Sequence, residues 1–192
     1  MKKWFAYAGI AASVILVAFG IGAIVIGVDG YNTVRDEIAA QNITAGDDAA
    51  ELTDGQLQPG QAIKTGAQAR AFADIMEHHT LESTEGKRYA EMGRFLTPSG
   101  GDTSDEALAA KTEDGRPVEN GLRNMWVTET ALTTALNTSY FAERVAYFSI
   151  VMGIALLLTG IGFLVLTLGG ALGWVARPSH AKQSLDTASA AT

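Results

Sequence analysis

Residues Trp4–Val28 read WFAYAGIAASVILVAFGIGAIVIGV: 25 residues with a single aliphatic hydroxyl, Ser13, and no charge. As a helix the stretch reaches roughly 38 Å, against a hydrocarbon core of about 30 Å. It is too long for the h-region of a signal peptide, and no small-x-small cleavage site follows Val28. The reading is an uncleaved membrane span. A second block, Val145–Ala176, reads VAYFSIVMGIALLLTGIGFLVLTLGGALGWVA and has 32 residues without a charge. About 20 suffice to cross a bilayer. Trp4 beside Lys2 and Lys3, and Trp174 beside Arg177, fit interfacial anchors. The pairs Ala18/Gly22, Ala23/Gly27, Ala155/Thr159 and Gly169/Gly173 have the spacing that allows close helix approach.

Charge separates these blocks from what lies between them. The 116 residues from Asp29 to Arg144 hold 20 of the 21 acidic residues and 10 of the 14 Lys and Arg, a net of −10. The short flanks are basic, which places both termini in the cytoplasm and the acidic segment outside. The expected organisation is a cytoplasmic N-terminus at 1–3, a span at 4–28, an acidic helical extracytoplasmic domain at 29–144, a span at 145–176 and a disordered cytoplasmic tail at 177–192. The fold class is all-α, with the helical domain inserted between two transmembrane helices. An acidic soluble part excludes a nucleic-acid partner held through its phosphates. Spans without ionisable residues argue against a pump or proton relay. Zero cysteines among 192 residues means that the outer segment holds together without disulfides. With an Ala-rich, Lys-poor composition, this suggests a bacterial inner-membrane protein.

Apolar periodicity within the segment is helical. Tyr31, Val34 and Ile38 extend the first span by about three turns. Residues 42–60, rich in Gly, Asp and Thr, read as a loop that is mobile or touches something. Thr65 and Gln68 form a capping box, followed by an apolar stripe at Ala67, Ala71, Phe72, Ile75, Met76 and His79. Tyr89, Met92, Phe95 and Leu96 suggest a short helix ending before Pro98, and Thr103–Lys111 suggests another; no strand is expected. From about Asn120 one helix runs into the second span. If Val28 and Val145 mark the same level, the two long helices form an antiparallel stalk. Val34 then meets Tyr140, Ile38 meets Leu136, and Asp29 stands near Arg144.

Chemistry-bearing residues are sparse. Asp74, His78 and Glu82 share a helix face at i, i+4, i+8, which suits a pH-responsive site; the bland alternative is a solvated face with local ion pairs. No catalytic residue, cofactor-binding residue or metal ligand is assigned. There is no nucleophile elbow, no phosphate loop and no His-Glu-x-x-His. Tyr89, Met92, Phe95, Trp126, Tyr140 and Phe141 read as core side chains in preference to a ligand box; among them Trp126, in a Thr-rich helix, is the one to watch for an exposed contact surface.

Two stretches carry a resemblance. TVRDEIAAQNI at Thr33–Ile43 and WVTETALTTALNTSYF at Trp126–Phe141 resemble a group of small two-span membrane proteins of actinobacteria, mycobacteria among them. Some members are called aromatic ring-opening dioxygenases. The resemblance implies the two-span topology and brings no catalytic residues to carry over. Ring-opening chemistry needs a metal held by His and carboxylate ligands, and the adjacent pair His78–His79 has diverging rings. The expected function is a non-enzymatic accessory or scaffolding subunit of the cell envelope, without a cofactor. It sits in the lipid bilayer and presents its outer domain to a membrane or envelope protein, or to a second copy. The alternative is a ligand- or pH-responsive sensor acting through a partner. Reporter fusions at Thr192 and within Gly100–Ser104 should read opposite compartments. The same compartment for both would overturn the two-span topology.

Overall fold

The computed structural model describes residues 2–169; the expectations for Gly170–Ala176 and for the tail at 177–192 lie outside them. The described residues are 68% helical and 5% strand. Among the described residues four α-helices occur in order: α1 (Lys2–Ala40), α2 (Ala49–Leu52), α3 (Gly66–Ser83) and α4 (Gly121–Leu168). Between α3 and α4 lies an antiparallel ribbon of β1 (Phe95–Leu96) and β2 (Asp102–Thr103), with Phe95 opposite Thr103. Two compact units share α1 and α4: an apolar one up to Gly27 and from Phe148 onward, and a polar one from Val28 to Tyr147.

Both long helices are long and apolar enough to cross a membrane. Only 11% of each most apolar window is buried inside the protein, so these are not core helices of a soluble fold. In the apolar unit α1 and α4 meet backbone to backbone. A Cβ placed on Gly20 would lie 2.8 Å from the Gly153 carbonyl oxygen and 2.7 Å from the Leu157 nitrogen. One on Gly160 would lie 3.0 Å from the carbonyl oxygen of Ser13. Ser13 turns its hydroxyl back to the carbonyl of Gly9, and Ser149 donates across to the carbonyl of Ala23 at 3.0 Å. Buried hydroxyls thus find acceptors without water. The contact does not use the expected Ala18/Gly22 pair, since nothing lies within 4 Å of a Cβ on Gly22. Spacing along one helix cannot tell which small residues meet another at the same height.

In the polar unit a core of Ile38, Ala45, Ala49, Leu57, Ile63, Ala69, Ala71 and Ile75 forms where α1, α3 and the 42–60 segment meet. That segment is a folded flap rather than a loose loop. Ala45 donates to the Gln61 carbonyl, Ile63 to that of Ile43, and Thr53 caps the turn by accepting from Leu57. Leu57 is fully buried. α3 starts with the capping box: Thr65 Oγ1 accepts from Gln68, and the Gln68 side chain accepts from Thr65. Its C-terminus closes on Gly86, at φ +81°, whose N–H reaches the Leu81 carbonyl.

The 87–120 region departs from the helical expectation. Tyr89–Glu91 and Glu106–Leu108 are single 3-10 turns, and Phe95 and Leu96 are strand. Leu96 donates to Val118 and accepts from Ala110, so backbone pairing replaces helical bonds. Gly93 permits it, because a Cβ there would sit 2.4 Å from the Thr103 nitrogen. Buried Asn120 anchors the end: its Oδ1 accepts from Leu122 at the start of α4, and its Nδ2 donates to the Gly93 carbonyl. Trp126 is buried, which agrees with its reading as a core side chain and removes the exposed alternative. Its indole N–H donates to the Lys87 carbonyl, which also accepts from the buried Thr84 hydroxyl.

Six arginines lie over aromatic rings: Arg35 on Tyr31, Arg70 and Arg144 on Tyr140, Arg88 on Trp126, Arg94 on Phe95 and Arg123 on Tyr89. The tightest is Arg123, 3.8 Å from the ring centroid.

The close approach in the apolar unit yields a contrast. Gly153→Ile forces apart atoms that a Cβ would meet at 2.7 Å and should cost about 1–3 kcal/mol. Gly22→Ile, in open space, should cost far less. Detergent-titration unfolding of the two variants checks this, and equal losses would place the helix contact elsewhere.

Candidate functional site

The polar unit offers two features with functional potential: a charged junction of three helices and an apolar groove beside it.

The junction centres on Glu143 of α4. Its side chain is mostly buried, and Oε2 accepts the backbone N–H of Gly66 at 2.7 Å. Gly66 is the first residue of α3, so a carboxylate faces the positive end of that helix. Oε1 lies 3.7 Å from Nε of Arg35 on α1. Arg35 also donates to the Tyr31 hydroxyl. Glycine at position 66 is required by space: a Cβ would stand 2.6 Å from Glu143 Oε2 and 2.8 Å from the Cα of Tyr140. The ion pair between α1 and α4 is thus Arg35 with Glu143, and Asp29 and Arg144, expected near one another, form no salt bridge among the described residues. A hollow of about 270 Å3 beside Tyr31, Arg35, Thr65 and Tyr147 adjoins the junction.

The stalk residues take distinct places. Ile38 is buried, and Val34 and Leu136 pack on the cluster it belongs to. Tyr140 has its Cα against α3 at Gly66, with its ring covered by Arg70 and Arg144.

The groove opens next to Ile38 and has a volume of about 640 Å3. Its floor and walls are Ile38 of α1, Ile43 of the connection, Phe72 and Met76 of α3, and Leu132, Ala135 and Leu136 of α4. Only Glu37, Gln41 and Ser139 bring polar groups to it. Size and lining match a small-molecule site: apolar walls with a few polar groups. The sequence named most of these residues as helix faces. It could not show the groove, because periodicity says which side of a helix is apolar but not where three helices leave space.

Asp74, His78 and Glu82 all lie exposed along α3. Among the described residues no three His, Asp or Glu side chains are grouped to hold a metal ion. His79 departs from its expected place in the apolar stripe. Its Nε2 lies 2.6 Å from Oδ2 of Asp48, just before α2, and about half of each side chain is exposed. The i+1 position after His78 turns the ring toward the flap, whose acidic Asp48 the stripe could not anticipate. The two imidazoles stand edge to face, 6.1 Å apart.

Comparison with known proteins adds no identity: no family model, curated protein or solved structure matches this chain.

Loss of the junction should be visible in stability. Glu143→Ala leaves the Gly66 N–H and Arg35 without their carboxylate and should cost about 2–3 kcal/mol; Glu143→Gln, which keeps an acceptor, should cost less. His79→Ala removes an exposed pair worth about 0–1 kcal/mol. Urea unfolding followed by circular dichroism ranks the three. A loss for Glu143→Ala no larger than that for His79→Ala would remove the junction from its structural role.

Proposed function

We propose that this protein is a non-enzymatic two-span plasma-membrane protein that offers its Val28–Tyr147 unit, on the extracytoplasmic side, to a protein partner. In this reading both termini are cytoplasmic, and the protein acts as an accessory or scaffolding subunit. The topology rests on the uncharged blocks and their basic flanks, and it agrees with the resemblance to small two-span actinobacterial proteins.

The observation that carries the partner is an apolar face on α4. Leu122, Met125 and Leu132 are 44%, 39% and 48% exposed. At 100° per residue they fall within about 80° of one another around the helix. A row of large apolar side chains on a unit of net charge −10 is what an interaction surface looks like. A ligand-responsive version of the same role is favoured by the groove, which shares Leu132 with this face. The exposed Asp74–His78–Glu82 face gives the pH-responsive version no comparable support.

A photo-crosslinking amino acid at Leu122 or Met125 in native membranes should capture one partner in stoichiometric yield. The same residue at Thr134, about 180° around α4 from Met125, should capture little. Equal capture from all three sites, or none, would overturn the reading.

A further inference from the structure

We propose that the groove beside Ile38 binds a single-chain cationic amphiphile, with its hydrocarbon chain against α3 and α4 and an ammonium head at Glu37. This goes beyond the partner reading and does not depend on it, because it needs only the polar unit's own fold.

The chain's place follows from the walls. Ile38 at the floor is 4% exposed and belongs to the core, so the groove is a gap at the edge of a packed cluster. Phe72 and Met76 on one side face Leu132 and Leu136 on the other. About 640 Å3 falls within the range of small-molecule sites. Met76 adds an adaptable, polarisable side chain. Apart from Glu37, Gln41 and Ser139 the lining is apolar, so a ligand with polar groups along its length leaves most of them without partners.

The head group follows from the rim. Every polar residue there can present an acceptor. Glu37 has a carboxylate, and among the described residues it joins no salt bridge. The Ser139 hydroxyl already donates to the Ala135 carbonyl and is left with lone pairs. Gln41 uses its amide N–H on the Glu37 carbonyl, which leaves its side-chain oxygen to accept. No Lys, Arg or His lines the groove. A carboxylate or phosphate head would therefore meet repulsion at Glu37, whereas an ammonium meets charge and acceptors together. The unit's net charge of −10 favours the same sign of ligand.

The test uses the full-length protein in zwitterionic lipid nanodiscs and a dodecylamine that carries a mid-chain diazirine. Photolabelling should fall on peptides covering residues 37–43, 72–76 and 132–139. Dodecylamine should compete and dodecanoate should not. Glu37→Gln should weaken labelling about fivefold, the upper range for an exposed ion pair. Ala135→Trp, an exposed position whose new ring fills the groove, should abolish it while the circular dichroism spectrum is unchanged. Should Ala135→Trp fail to fold, Glu37→Gln and the dodecanoate comparison decide alone. Label confined to residues 4–28 and 145–168, equal competition by dodecanoate, or indifference to Glu37→Gln would overturn the proposal. So would cysteines at Leu132 cross-linking two copies so completely that no probe enters. The labelling and competition outcomes do not bear on a partner captured at Leu122 or Met125, so the two readings fail separately.

Discussion

One carboxylate brings the polar unit's three principal helices together. Glu143 reaches from α4 to the first N–H of α3 and to the guanidinium of α1. The free N–H groups at the start of a helix need partners, and a buried carboxylate needs donors; each answers the other. The geometry allows no substitute. Gly66 has no room for a side chain, and its neighbour Thr65 is already occupied with the capping box. Displacing α3 would take the Gly66 N–H from Glu143 and leave the carboxylate with Arg35 alone, so the position of α3, and with it one wall of the groove, depends on this contact.

Small residues set the rest of the packing. On α3 the alanines at 69, 71 and 73 are buried, and Ala69 and Ala71 join Leu57 and Ile63 in the core. On the side toward α4 the larger Phe72 and Met76 hold the neighbouring helix away, and the gap between them is the groove.

How far the sequence disclosed this varied with the physical range of each feature. The two long apolar helices, the capping box at Thr65 and the unbroken helix after Asn120 are local, and composition and period are enough to find them. The 87–120 region was misread because Tyr89, Met92 and Phe95 have helix-like spacing, while long-range bonds from Leu96 to Ala110 and Val118 decide its backbone. His79 was misplaced for a related reason: its partner, Asp48, lies 31 residues away, just as the Lys87 carbonyl that fixes the buried Trp126 lies 39 residues away. The groove was invisible for the same cause, since its lining spans about a hundred positions of chain.

The arginines stacked on rings carry one more consequence. Arg70, Arg94, Arg123 and Arg144 lie over aromatic faces and, among the described residues, form no salt bridge. Most carboxylates of the polar unit are thus without a nearby counter-charge. The excess is expressed as a diffuse negative potential instead of local pairs, and it extends about 8 Å into physiological saline. Within that layer, cations are concentrated and anionic lipid headgroups are repelled, and both effects fade as salt is added. Arginine that grips a ring stabilises the fold without neutralising its surface, so the protein can be firmly packed and still act at a distance as a polyanion.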